Sequence, residues 1–227
     1  IEKSSGRMMH EIVEDCLPGH PFAILSGPNF AHEVAQGLPS ATTLATSHLD
    51  WGERLTKAIG LPTFRPYYTD DVIGAQMGGA IKNVLAIACG IVAGAGLGEN
   101  ARAALITRGM AEILRLGEKL GGRAETLMGL SGLGDLVLTC SSSASRNFSL
   151  GEALGSGQSL DAVLQGRHAV TEGVHTTAAL CQMAEKHKIE MPICSAVNKI
   201  LNEGAAVEEI VKDLLARPFR DEKLAGF

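Results

Sequence analysis

The sequence predicts a mainly α protein, in which an all-α domain follows a smaller α/β part. Up to Asp70, short β-like runs alternate with helix-compatible segments. Beyond Asp70, apolar residues recur at helical spacing almost throughout. The 227 residues, 45% of them hydrophobic, suffice for one large or two small cores. The division is therefore placed at 1–70 and 71–227.

In the first part, Ser4 to Leu17 is helix-compatible and Pro18-Gly19 punctuates a turn. An apolar run, Phe22 to Leu25, then ends at Ser26-Gly27-Pro28. Ala41 to Thr46 is a second β-like run and Phe64 to Tyr68 a third, which Pro66 assigns to a sheet edge. Three short strands with helices between them form part of a sheet. In the second part, Ile106, Met110, Ile113, Leu116 and Leu120 mark one helix face, with Gly121-Gly122 as the stop. Leu180, Met183 and Ala184 mark another helix. Pro192 suits the first turn of the next, whose face is Ile193, Val197, Ile200 and Leu201. Val207, Ile210, Val211, Leu214 and Leu215 give a last one, ended before Pro218.

A net charge of −5, with no run of Lys and Arg, offers no general attraction to nucleic acid or an anionic membrane. Five widely spaced cysteines without a Cys-x-x-Cys argue against a disulfide framework or zinc ribbon and fit a reducing cytoplasm. The longest apolar stretch, Val84 to Leu97, falls short of a bilayer span of about 20 residues, so neither membrane insertion nor a signal peptide is expected.

Several motifs bear on chemistry. His10-Glu11 and His32-Glu33 lack the second histidine of a zinc-protease helix, and no metal site is expected. Gly96-Leu-Gly98-Glu-Asn-Ala101 imitates a dinucleotide fingerprint, but an Ala- and Gly-rich run precedes it where a strand is needed. Gly90 and Gly94 in that run suit close helix packing or a loop entry. Ser26-Gly27-Pro28-Asn29-Phe30-Ala31 leads from a strand into a helix, either as an anion site at a helix start or as an ordinary turn capped by Asn29. A second glycine loop, Met128 to Gly134, ends in Asp135 among apolar residues. Arg146 opens a helix, where its charge opposes the dipole but suits a phosphate clamp; a solvated arginine is the alternative. Lys82 interrupts an apolar run. It either snorkels to water or is held inside as a general acid or base, oriented by a carboxylate such as Asp135.

Together these pieces resemble a known family. Ser26-Gly27-Pro28-x-Phe30-Ala31, Gly78-Gly79-Ala80-x-Lys82-Asn83-Val84, Asn100-Ala-Arg102 with Thr107-Arg108-Gly109, Gly132-Leu-Gly134-Asp135-Leu, Ser145-Arg146-Asn147 and Glu172-Gly173 are similar in order and spacing to the bacterial-type NAD(P)-dependent glycerol-3-phosphate dehydrogenases. The resemblance implies an all-α C-terminal substrate domain preceded by the remnant of a Rossmann-type dinucleotide-binding domain. It implies a cytoplasmic oxidoreductase using NAD or NADP, which interconverts dihydroxyacetone phosphate and sn-glycerol 3-phosphate for phospholipid synthesis. By motif matching, Lys82 and Asp135 are catalytic. Gly27, Asn29, Lys82, Asp135, Ser145, Arg146 and Asn147 are substrate-binding, and Ala31, Arg146, Val170 and Glu172 are cofactor-binding. The family has Ser or Thr where this chain has Asn29, and its fingerprint precedes the position matching Ile1, so the chain is expected to be a truncated form inactive by itself. A homodimer is compatible with the resemblance. The competing expectation is a noncatalytic helical interaction or dimerisation domain, which would scatter Lys82, Asp135 and Arg146 rather than gather them.

Overall fold

The protein, represented by a computed structural model, is described over residues 1–2, 5–165, 172–219 and 221. Its α/β part contains α1 (Met9–Cys16), β1 (Ile24–Ser26), α2 (Ala31–Ala35), β2 (Ser40–Ala45), α3 (Leu49–Ile59) and β3 (Phe64–Thr69). The sheet order is β1-β2-β3, with β2 antiparallel to β1 and parallel to β3. Pro66 lies on the edge strand β3, opposite Thr42, where its missing N–H costs no ladder bond on the open side. The first helix is shorter than Ser4 to Leu17. Gly6 takes a left-handed φ of +67°, and the Glu11 carboxylate then accepts the Met8 N–H at 2.7 Å, which sets the start after that turn.

The remainder is helical: α4 (Val72–Gly94), α5 (Glu99–Lys119), α6 (Ala124–Leu127), a π turn (Leu130–Gly134), α7 (Asp135–Ser141), α8 (Arg146–Gly155), α9 (Leu160–Gln165), α10 (Glu172–Lys186), α11 (Pro192–Glu203) and α12 (Val207–Leu215). The stop and start signals act as their chemistry requires. Gly121 and Gly204 take left-handed conformations after α5 and α11, and Pro192 opens α11. The expected glycine loop before Asp135 is instead wound into the π turn. A Cβ on Gly132 would lie 1.7 Å from the Leu127 carbonyl oxygen, so glycine is what permits that tight winding.

Helix α4 is the axis of the helical part, packed by α5, α7, α8, α10 and α11. Asp71 fixes its start: one carboxylate oxygen accepts Gly74 N–H at 2.8 Å and the other accepts Arg123 N–H at 2.8 Å, so one buried side chain ties α4 to the turn beyond α5. With 23 residues, α4 exceeds the 14-residue apolar run expected from sequence and is long and apolar enough to cross a membrane. Two thirds of its most apolar window is buried inside the protein, which accounts for that composition. Helices α4 and α8 cross with their backbones in contact. Cβ atoms on Gly90 and Gly94 would lie 2.0 Å from the carbonyl oxygens of Phe148 and Glu152, and one on Gly151 would lie 2.0 Å from that of Ile87. The glycines at 90 and 94 therefore serve helix packing.

One buried carboxylate lies apart from this crossing. Glu112 on α5 accepts the backbone N–H groups of Ile193 at 2.7 Å and Cys194 at 3.2 Å, satisfying donors at the start of α11. Burial pushes its carboxyl above the ordinary 4.5, and those two N–H groups pull it back in part.

Two predictions follow from this packing. Gly151→Ala should destabilise the fold by about 1–3 kcal/mol or more, because backbone must move. Gly157→Ala, with open space around a left-handed glycine, should cost only about 1 kcal/mol; urea unfolding of both variants checks the contrast. The second concerns pH. A carboxyl whose folded pKa is raised stabilises folding below its unfolded pKa and loses that contribution as pH rises through the folded value. Glu112→Gln, which does not titrate, should therefore gain stability relative to the parent as pH increases above about 4.5. A stability difference that stays flat with pH in denaturant titrations would contradict it.

Candidate active site

The side chains of interest gather where α4, α7, α8 and the start of α10 meet. Lys82 lies on α4 with its side chain 21% exposed, and its Nζ donates to Oδ2 of Asp135, whose side chain is 4% exposed. Asp135 is the first residue of α7, and the π turn delivers it there. Its other oxygen accepts the Thr139 hydroxyl, one helical turn on, at 3.2 Å. Burial raises the Asp135 carboxyl above its ordinary range, while the Lys82 ammonium and the Thr139 hydroxyl draw it down. The lysine therefore does not simply snorkel; a buried carboxylate holds it.

The next residue on α4 extends the network. Asn83 Oδ1 accepts from Asn147 Nδ2 at 3.0 Å, and Asn147 Oδ1 accepts the Gly173 N–H at 3.0 Å, linking α4 to α8 and α10. Ser145 caps α8, its hydroxyl oxygen accepting Phe148 N–H at 3.2 Å. Arg146 opens α8 and pairs with Glu172, which opens α10, at 2.6 Å; both side chains are about half exposed. An arginine thus opens the helix that Asn147 ties to Asn83, the neighbour of Lys82, and a guanidinium at a helix start suits a phosphate.

The strand-to-helix turn closes on this cluster. A Cβ on Gly79 would lie 3.1 Å from Ser26 Oγ, and one on Gly134 would lie 3.6 Å from Pro28 Cγ, so Ser26-Gly27-Pro28 abuts both α4 and the π turn. Asn29 does not cap α2; Phe30 occupies that position, without a side-chain cap. Freed from that role, Asn29 Oδ1 is buried without a hydrogen-bond donor. Ala31 begins α2 and is exposed.

The structure thus pairs Lys82 with Asp135 and Arg146 with Glu172, ties Asn147 to Asn83, the residue after Lys82, seats Ser145 in the cap of α8 and places Gly27 in the turn that abuts α4. Val170 lies outside the described residues. Asn83 and Thr139 received no role from the sequence, although each carried a signal. Asn83 is the second polar residue in an apolar run, and Thr139 stands four residues after Asp135 on the same helix face. The Gly96–Ala101 segment is no fingerprint: it is a turn between α4 and α5, with Gly96 and Gly98 left-handed and no strand before it. Among the described residues no group of three His, Cys, Asp or Glu side chains is gathered for a metal.

A helical domain that seats a lysine–carboxylate pair against an α/β turn, with an arginine-led helix packed on the same central helix, has the layout of a two-part dehydrogenase. The model of the NAD-dependent glycerol-3-phosphate dehydrogenase C-terminus matches residues 71–212, and that of the N-terminus of the same enzymes matches residues 1–51. Glycerol-3-phosphate dehydrogenase (NAD(P)+) of Erythrobacter litoralis is 58% identical over 222 residues, covering 98% of this chain and 67% of that protein. The protein of the same description from Rhodospirillum rubrum is 56% identical, covering 98% and 64%. The crystal structure of glycerol-3-phosphate dehydrogenase from Coxiella burnetii superposes with a TM-score of 0.91 at 44% identity, covering 94% of this chain and 66% of that one. The chain belongs to the NAD-dependent glycerol-3-phosphate dehydrogenase family, and it spans about two thirds of the length of the curated relatives it matches.

The asparagine bridge generates a test. Asn147→Ala should cost about 1–3 kcal/mol, because it strands the buried Gly173 N–H and the Asn83 amide. Asn147→Asp should recover part of that loss by keeping an acceptor for Gly173. Equal stability of all three proteins in thermal unfolding would show that the bridge does not hold α10.

Proposed function

We propose that these residues are the substrate half of a dehydrogenase that interconverts dihydroxyacetone phosphate and sn-glycerol 3-phosphate with NAD or NADP, in phospholipid precursor synthesis. The observation that carries it is the Lys82–Asp135 contact, with the opening of α8 at Arg146 and Asn147 tied to the next residue of α4 by the Asn147–Asn83 bond. The same convergence disfavours a purely noncatalytic interaction domain. Five free cysteines support a reducing cytoplasm as its place of action.

Several features of the chain fit one end of a dinucleotide. The buried Asn29 Oδ1 lacks a donor that an amide or hydroxyl would supply, Glu172 offers acceptors, and Arg146 offers donors. Asn29, Ala31, Arg146 and Glu172 would hold that end, with Val170 assigned by family resemblance alone. The nicotinamide, when bound, supplies or accepts the hydride at the carbon that changes oxidation state.

The protein's own residues do the rest. Lys82 gives its ammonium proton to the ketone oxygen as that oxygen gains charge, and in reverse takes the proton from the hydroxyl as the neutral amine. Asp135 fixes the direction of the Nζ, and Thr139 fixes Asp135. Arg146 and the first N–H groups of α8 take the phosphate, so binding energy remote from the reacting carbon holds that carbon against Lys82. Ser145 and Asn147 border the same helix start, and Gly27, where a Cβ would lie 3.0 Å from Thr42 Cα, lets the Ser26–Pro28 turn close on β2 with its backbone open to the substrate.

The division of labour between 1–70 and 71–227 is part of this proposal. So is the inactivity of these 227 residues alone, which is supported by the lack of a glycine fingerprint at the end of β1, β2 or β3. Lys82→Ala, placed in a chain that also carries such a fingerprint, should lower kcat roughly 10²–10⁴-fold while leaving cofactor affinity nearly unchanged. Arg146→Ala should chiefly weaken sn-glycerol 3-phosphate binding, by about tenfold or more. Steady-state kinetics and calorimetric titration decide: full turnover by the Lys82 variant would sink the assignment, and NADH oxidation by the 227 residues alone would sink the claim of inactivity.

A further inference from the structure

A second concavity lies away from this site, beginning six residues further along α4 from Lys82. It has a volume of about 970 Å³ and is floored by apolar side chains of α4, α5, α11 and α12. That volume is at the upper end of the range of small-molecule pockets. Its polar lining is uneven. Arg108, Arg115 and Lys188 border it with Asp221, while Arg217 pairs with Glu190 at 3.5 Å; the remaining acid, Glu112, is buried and occupied by the N–H groups at the start of α11. In a chain of net charge −5 this is a local excess of cations.

One further feature marks the rim as more than a gap between helices. Arg115 donates from Nη2 to the Glu190 carbonyl at 3.0 Å, yet its Nε–H is buried without an acceptor. An orphaned guanidinium donor costs stability unless something accepts from it. Lys188 holds a left-handed φ of +57°, the only such non-glycine among the described residues, at a helix end where glycine or asparagine is usual. It is the left-handed residue of a Schellman turn that ends α10, with Ile189 N–H donating to the Ala184 carbonyl at 2.9 Å and Lys188 N–H to that of Glu185 at 3.0 Å, which sets the Lys188 side chain at the rim.

We propose that this concavity binds a free single-chain fatty-acid anion, with the acyl chain along the apolar floor and the carboxylate at Arg108 and Arg115. A second copy of the chain fits less well, because a two-fold contact here would bring one cationic rim against another. The proposal is independent of the chemistry at Lys82, and its test reads binding rather than turnover.

The experiment is calorimetric titration of the protein with dodecanoate below its micelle concentration, alongside dodecyltrimethylammonium (same chain, opposite head) and acetate (head alone). Dodecanoate should bind at one site per chain, at least about tenfold more tightly than the cationic chain, and acetate should not register. Arg108→Glu, at an exposed rim position, should lose about tenfold in dodecanoate affinity. Ala104→Trp, also exposed and lining the groove, should abolish binding with the unfolding temperature unchanged. Lys82→Ala should bind dodecanoate as the parent does. Equal affinity for the two chain probes would reduce the groove to an unselective apolar surface and overturn the proposal. So would self-association in sedimentation experiments that Ala104→Trp abolishes and dodecanoate does not alter, which would make the groove an interface between copies.

Discussion

The backbone crossing of α4 and α8 is the constraint on which the candidate site rests. Glycines on both helices bring carbonyl oxygens to positions that a single methyl group would occupy. The contact has little side-chain area per residue and gains from dispersion between close-packed backbones. Its consequence is positional. Asn83, one turn before the crossing on α4, reaches Asn147 at the start of α8, and Asn147 in turn receives Gly173 of α10. Were the helices a side chain's width further apart, the amide bridge at 3.0 Å could not form, and Arg146 would open a helix facing empty solvent.

How much of this could be seen in the sequence depends on the kind of signal each element carries. Helices with a one-sided apolar face and a clear stop, such as α5 with Gly121 and α11 with Pro192 and Gly204, are legible because periodicity and capping are local properties. The three strands were legible to within two residues, and Pro66 marked the edge. The π turn was not, because five residues rich in glycine spell a loop unless one knows that the Leu127 carbonyl sits where a Cβ would be. Nor was the full length of α4, since the polar residues Gln76, Lys82 and Asn83 break up a run that tertiary packing joins. Within the site, Lys82, Asp135 and Arg146 stood out because each was the wrong residue for its local setting. Thr139 and Asn83 did not, because a hydroxyl or amide is unremarked until its partner is in place.

The wrong-residue signal has a common physical basis. Asp135 lies in surroundings that disfavour its charge, Arg146 sits at the positive end of a helix, and Lys82 interrupts a buried face. Each costs stability in its own element, and an ion-pair partner from another element offsets that cost: Asp135 for Lys82 and Glu172 for Arg146, with Thr139 adding to Asp135 from within α7. A fold optimised for stability alone would replace the Lys82–Asp135 pair with apolar residues of similar size, at little loss or a gain. Glu112 is a useful contrast. It too is a buried acid raised by desolvation, yet both its oxygens are used by the start of α11, so it has a structural reason to be there.

The same contrast separates the two glycine-rich segments that look alike in sequence. Gly96 to Ala101 meets the pattern of a phosphate-binding turn, but open space surrounds its two left-handed glycines and a helix precedes it, so the glycines merely turn the chain. Gly129 to Gly134 matches no fingerprint, yet its glycines admit the backbone contacts that aim Asp135 at Lys82. A glycine's meaning is thus fixed by what occupies the space its side chain would fill. Where that space is a neighbouring carbonyl and the next residue is a buried acid, the glycine positions the acid.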